Sequence, residues 1–281
     1  MMHEALAGEW IKFWRNRMAA FWAFQFPPLL ALAMGLSGEF LFRLHSGHLT
    51  ELHAQAALSR QVTNAFSQAA SPITQLFCLI AIATLFAAEY QWGTWRLLVT
   101  RQPRHTIILA KLCVYCAGCL LCTFGIGAAG LLSALTDRVV EHSTGPLCDG
   151  SCWFASARIF EAWMSAVLAL LATGGVAAAI AIIFRSTLAT ILVPLLLGVI
   201  QLLIMSTFSS DDIFHPTAAL LTLPGQSATV LQFFVAGVHN ADGAQIPVAS
   251  AFLATVSLLG WTVAGFGIAY LWFEKRDLAR G

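Results

Sequence analysis

Three histidines in the N-terminal quarter of the chain are spaced so that they could bind a metal ion together. His45, His48 and His53 lie at i, i+3 and i+8, which a helix would bring toward one face. Imidazole is a common ligand of transition metals. No cysteine or carboxylate pattern completes a site around them, so we predict a solvated helix face and no metal. A metal site at these histidines remains the alternative.

Two cysteines in a polar segment could form a covalent link. Cys148 and Cys152 flank a short turn in a segment predicted to lie outside the membrane, where the compartment permits oxidation. A metal site would need further ligands close by, and only His142 is near in sequence. We therefore predict a disulfide between Cys148 and Cys152.

Two other patterns imitate cofactor-binding motifs. Cysteines occupy every third position from Cys113 to Cys122, but a step of three residues turns a helix by about 300°, so the four thiols spread around it. We predict that they pack as small apolar side chains. Gly125, Gly127 and Gly130 match a dinucleotide fingerprint without the strand that it requires, so they predict close helix packing instead.

The sequence lacks the usual signatures of catalysis. It has no zinc-protease motif, no nucleophile elbow and no P-loop, so this chain does not bind ATP in the P-loop manner. The main polar side chains deep within the apolar segments are Gln75 and Gln201. An ion-driven carrier would hold buried acids or histidines there. We predict that the chain is not an enzyme, and that any transport draws its energy from a partner.

The elements that position these residues must lie in a membrane. Hydrophobic residues make up 58% of the 281 residues and charged residues only 10%, against about 25% in soluble domains. The mean hydropathy of +0.76 indicates an integral membrane protein. A net charge of +1 gives no reason to expect nucleic-acid binding.

Six apolar segments are each long enough to cross a bilayer, which needs about 20 residues. This predicts an all-α membrane protein with a single transmembrane domain over residues 1–281. Lys and Arg concentrate on the side that holds both termini, which predicts that both termini are cytoplasmic. The predicted spans are residues 18–36, 72–88, 106–135, 159–184, 187–208 and 248–273, and the predicted extracytoplasmic segments are 37–71, 136–158 and 209–247.

Two segments predict helices that do not cross the membrane. Residues 1–17 alternate apolar and charged side chains at helical spacing, which predicts a helix lying in the cytoplasmic interface. On this helix Trp10, Phe13 and Trp14 form the apolar face, and we expect Glu9 and Lys12 on the opposite face. Within residues 209–247, two apolar stretches are too short to cross and are separated by Pro and Gly. They predict a broken or re-entrant hairpin before the last span, or two surface helices.

The segment from Glu89 to Arg104 is short, basic and bracketed by apolar runs, which predicts a cytoplasmic loop over residues 89–105. Its pattern is Glu-x-x-x-Gly-Thr-x-Arg-x-Leu, followed by a basic Pro turn and by Lys111. This pattern resembles the permease subunits of ABC-2 type transporters. The interface helix, the six spans and the broken hairpin are similar to the layout of the same family.

The resemblance implies a membrane-spanning permease of an ATP-driven exporter, with the loop carrying the helix that docks on a separate ATPase subunit. It implies no cofactor in this chain, with ATP and Mg²⁺ bound by that ATPase. It also implies a second permease copy or paralogue, and a location in the plasma membrane (the inner membrane of a bacterium). The residues implied in coupling are Glu89, Gly93, Thr94, Arg96, Arg101, Arg104 and Arg185. A membrane-embedded enzyme, or a structural or assembly protein without an ATPase partner, remains the alternative.

Overall fold

The computed structural model describes residues 2–46, 58–91, 103–141, 146–148, 151–207, 224–237 and 246–275. All regular secondary structure within these ranges is helical, so the prediction of an all-α protein is confirmed for the described chain. The apolar runs form long helices because a helix satisfies every backbone polar group within its own segment.

Nine helical elements follow one another along the described chain. Two of them, α2 and α4, each contain one π-helical turn between two α-helical stretches, without a break in the helix. The elements are α1 (Met2–Arg15), α2 (Arg17–Ala20, π turn Phe21–Gln25, Phe26–Ser46), α3 (Leu58–Ala69), α4 (Pro72–Ile82, π turn Ala83–Ala87, Ala88–Gln91), α5 (Arg104–Glu141), α6 (Cys152–Phe184), α7 (Thr187–Thr207), α8 (Pro224–Ala236) and α9 (Val248–Lys275).

Five helices are long and apolar enough to cross a membrane: Arg17–Ser37, Pro72–Tyr90, Arg104–Val139, Cys152–Phe184 and Val248–Lys275. The chain is therefore a multi-pass helical membrane protein by the length and composition of its helices. The apolar part of α7 within the described residues is shorter and runs over Thr187–Gln201. The sixth span stays a prediction.

Helix α6 is the centre of the bundle and packs against α3, α4, α5, α7, α8 and α9. It achieves this with small side chains, because most of its buried positions are alanine, glycine or serine. The closest approach is to α9, where a side chain on Gly265 would collide with the backbone of Gly175. Such small residues let helix backbones approach each other closely in a membrane.

The glycines of α5 and two of its four cysteines contribute to packing, whereas Cys113 is exposed and Cys116 is half-buried. The side chain of Pro28 lies against Gly125, and the Phe66 ring lies against Gly127. The close helix packing expected of this glycine pattern is confirmed. Cys119 and Cys122 are buried in the main apolar core, and no cluster of three or more potential metal ligands occurs among the described residues.

Candidate functional site

Four charged side chains meet where α1 crosses the adjoining ends of α4 and α5. They are Glu9 and Lys12 of α1, Glu89 of α4 and Lys111 of α5, and we refer to them as the charged cluster. The Nζ atom of Lys111 lies 2.6 Å from Oε2 of Glu9 and 2.8 Å from Oε1 of Glu89. Lys12 pairs with Glu89, and its Nζ lies 3.9 Å from Oε1 of Glu9.

The charged cluster is largely withdrawn from solvent. Lys111 is 0% exposed, Glu89 is 2% exposed and Glu9 is 7% exposed, whereas Lys12 is about half exposed at the edge. Two acids face two lysines, so the charges balance within the cluster. This balance matters because an unpaired buried charge costs several kcal/mol, on the order of 3–5 kcal/mol when one partner is removed.

Helix α1 brings two of the four side chains to the cluster. Its buried residues are Ala5, Glu9 and Phe13, which recur every four positions along one face. Phe13 anchors this face against Phe24 of α2, with ring centroids 5.5 Å apart. The expectation that Glu9 lies opposite Phe13 is therefore wrong. The two positions are about 40° apart on a helix, and Glu9 is buried because Lys111 offers it a partner.

Lys12 joins the cluster from its rim. Burial lowers the pKa of the Lys12 ammonium, and the positive charge of Lys111 lowers that pKa further, while Glu9 opposes both effects. A cavity of about 90 Å³ lies beside the cluster and is also lined by Asn16 and Thr84. The side chains therefore surround a small space at the junction of three helices.

Two further residues implied in coupling lie at this end of the bundle. Arg104 opens α5, and its Nη1 donates a hydrogen bond to the backbone oxygen of Glu274 on α9, 3.1 Å away. Arg185 ends α6 in a left-handed conformation with φ of 54°. Its guanidinium carbon lies 5.4 Å from the centre of the Tyr90 ring, a cation–π distance. Since Tyr90 follows Glu89, Arg185 is held beside the charged cluster.

Other predicted site residues fall elsewhere. Gly93, Thr94, Arg96 and Arg101 lie outside the described residues, as do His48 and His53. His45 lies at the end of α2. Cys148 and Cys152 are joined by a disulfide with Cα atoms 5.2 Å apart, just where α6 begins.

Sequence reasoning missed the meeting of Glu9, Lys12 and Lys111 in one cluster and the burial of Glu9 and Lys111. Lys111 formed part of the motif that carries the family resemblance, but it had no assigned role. A signal was present in the sequence, because Glu9 and Phe13 are four residues apart on an amphipathic helix. Only the packing of α1 on the α4–α5 junction identifies Glu89 and Lys111 as the partners.

The arrangement connects helices through ion pairs, in which both acids of the cluster face lysines. What the cluster does is join α1, α4 and α5 through buried ion pairs, while Arg104 and Arg185 connect the same end to α9 and α6.

The chain belongs to a family described as protein of unknown function (DUF2705), whose family model matches residues 19–279. The match covers every described helix except α1 and the start of α2. A search of the curated proteins found no match.

Proposed function

We propose that this DUF2705 protein is the membrane-spanning permease subunit of an ATP-driven exporter of the ABC-2 type. The charged cluster is the junction through which a separate ATPase subunit acts on the membrane helices. The observation that carries this proposal is the burial of Glu9, Glu89 and Lys111 in one cluster. Glu89 is the first residue of the segment whose sequence resembles a coupling loop.

Both ends of the segment are attached to the bundle. At its start, Glu89 pairs with Lys12 of α1 and with Lys111 of α5. At its end, Arg104 donates to the backbone of α9. A push on residues 92–102 would therefore displace the ends of α1, α4, α5 and α9 together.

The strength of the ion pairs in the charged cluster favours transmission of such a displacement from the segment to the helices. Breaking one buried pair leaves an uncompensated charge at a cost of roughly 3–5 kcal/mol, comparable to much of the stability of a domain. The three helices at the cluster would therefore move as one body when the segment is displaced. Packed helices change between discrete arrangements, which allows a small displacement at one end to alter the other end.

The remaining parts of the proposal follow from the family resemblance and from the charge distribution. Both termini and the segment at 89–105 face the cytoplasm, and the membrane is the plasma membrane. A second permease copy or paralogue completes the path, and ATP and Mg²⁺ are bound by the ATPase subunit. Gly93, Thr94, Arg96 and Arg101 contact that subunit directly.

Affinity purification from native membranes tests the proposal. The tagged chain is solubilised in mild detergent, and its co-purifying proteins are identified and quantified by mass spectrometry. We expect a P-loop ATPase in stoichiometric amount, together with ATP hydrolysis by the purified complex. A pure chain with no ATPase in several detergents and in polymer nanodiscs would contradict the proposal and favour an assembly or enzymatic role.

A further inference from the structure

A second polar region lies at the opposite end of α4 from the charged cluster. Two adjoining cavities of about 460 Å³ and about 190 Å³ lie between α4, α6, α7 and α8. Gln75, Gln201 and Gln232 line the larger one, and we refer to it as the glutamine cavity. Gln75 lies about 20 Å from Glu89 along α4, at about 1.5 Å of rise per residue.

The wall of the glutamine cavity carries polar groups but no charged ones over the residues that the structure describes. No acidic or basic side chain is among its lining residues in the described part of the chain, and the remaining lining is largely apolar. An ionised ligand group would find no counter-charge among the described lining residues, and a buried charge without a partner is strongly disfavoured. The cavity therefore selects an uncharged ligand.

The glutamines retain hydrogen-bonding capacity toward the cavity. Gln75 uses its amide nitrogen to donate to the backbone oxygen of Ala70, 3.0 Å away. Gln201 uses its amide oxygen to accept from the backbone nitrogen of Gly225, also at 3.0 Å. These bonds hold both side chains and leave a carbonyl oxygen on Gln75 and an amino group on Gln201. Gln232 also lines the cavity, and its side-chain amide carries both a donor and an acceptor.

The glutamine cavity reaches the apolar surface of the bundle. Leu195 and Val199 of α7 line it and are 40% and 45% exposed. The sequence predicts that α7 crosses the bilayer, which would place the outer face of this apolar helix in contact with the surrounding lipid. A ligand with an apolar body can therefore enter sideways from the bilayer, and its polar end then reaches the glutamines.

We propose that the glutamine cavity binds an uncharged amphipathic molecule of about the size of a monoacylglycerol. The hydroxyl or ester groups of this ligand exchange hydrogen bonds with Gln75, Gln201 and Gln232, and its chain lies along α7. A volume of about 460 Å³ falls within the roughly 300–1,000 Å³ of small-molecule sites. Binding requires this chain alone and does not depend on an ATPase partner.

Photolabelling in nanodiscs tests the proposal. The purified chain is exposed to a monoacylglycerol carrying a diazirine in its acyl chain, and labelled peptides are identified by mass spectrometry. We expect labelling of the α7 and α8 peptides that contain Gln201 and Ala228, with competition by excess monooleoylglycerol. Labelling spread evenly over the lipid-facing helices, without competition, would overturn the proposal.

A matched pair of glycine variants separates the cavity from the general lipid surface. No atom lies within 4 Å of a Cβ built on Gly198 or on Gly260, so both accept a larger side chain. Only Gly198 lines the glutamine cavity. We expect Gly198→Leu to lower labelling by about fivefold or more, because leucine occupies the ligand's volume, and Gly260→Leu to leave it unchanged. Equal labelling of both variants would overturn the proposal.

Two further measurements test the chemistry of recognition. Gln232→Leu removes an amide from the wall of the cavity, so we expect labelling to fall about three- to tenfold, with the unfolding temperature measured alongside to verify folding. A diazirine phosphatidic acid with the same acyl chain should label the cavity peptides several-fold less, because its phosphate has no counter-charge there. Unchanged labelling in the variant, or equal labelling by the anionic probe, would overturn the proposal.

Discussion

The charged cluster and the glutamine cavity lie toward opposite ends of α4 and bury polar groups in different ways. In the charged cluster, Lys111 lies within 2.8 Å of two carboxylates, and the adjoining cavity is only about 90 Å³. In the glutamine cavity, the amides use only part of their hydrogen-bonding capacity, and about 460 Å³ stays open. The ion pairs of the charged cluster hold helices to one another, whereas the uncharged amides of the glutamine cavity leave room for a ligand.

The comparison predicts that substitutions at the charged cluster cost far more stability than substitutions at the cavity. The first and largest effect is expected for Lys111→Met, which leaves Glu9 and Glu89 facing each other without their shared partner. We expect a loss of about 3–5 kcal/mol, measured as a lower thermal unfolding temperature by fluorescence-detected size exclusion. Lys275→Met, at an exposed position near the end of α9, is the control and should change stability by less than about 0.5 kcal/mol.

A double-mutant cycle measures the coupling within the cluster directly. Glu9→Gln and Lys111→Met are made singly and together, because their charged atoms lie 2.6 Å apart. We expect a coupling free energy of about 1–3 kcal/mol from the unfolding of the four proteins. Additive losses would show that α1 is not held to α5 by this pair.

Substitution of Gln201 by Leu should have a smaller effect. It removes the hydrogen bond that the amide accepts from Gly225 at the start of α8. We expect a loss of about 1 kcal/mol, the usual contribution of one hydrogen bond between uncharged groups. A loss as large as that of Lys111→Met would remove the contrast between the two regions.

The smallest effect on stability is expected for Gly198→Leu. The position is helical and has open space around it, and replacement of a glycine within a helix gains several tenths of a kcal/mol from helix propensity, up to roughly 1 kcal/mol. The unfolding temperature should therefore stay constant or rise slightly while ligand labelling falls. A marked drop in stability would show that the space is required for packing.

The composition and the long apolar runs of the sequence were sufficient to predict the helical class, and the position of Gly125, Gly127 and Gly130 within such a run was sufficient to predict their packing role. These features depend on local composition, which the bilayer constrains strongly. The same reasoning recognised Gln75 and Gln201 as polar groups within apolar segments. It did not bring them to one cavity, because their proximity depends on how α4 and α7 pack around α6.

The charged cluster was harder to predict for a related reason. Glu9 and Lys111 are 102 positions apart, and no local pattern connects them. A buried lysine is also contrary to the expectation for its residue type unless its partners are known. The π-helical turns in α2 and α4 likewise arise within uniformly apolar runs that give no indication of them.

The central claim is that the segment between Glu89 and Arg104 receives an ATPase subunit. The most direct test compares how much ATPase co-purifies with three proteins. These are the unmodified chain, a variant in which the order of residues 91–96 is scrambled, and a control in which residues 240–245, in the segment that connects α8 to α9, are scrambled. Membrane insertion is verified for all three. We predict that the ATPase is recovered with the unmodified chain and the control and is lost with the 91–96 variant. Full recovery with that variant, or no recovery with any of the three, would contradict the account.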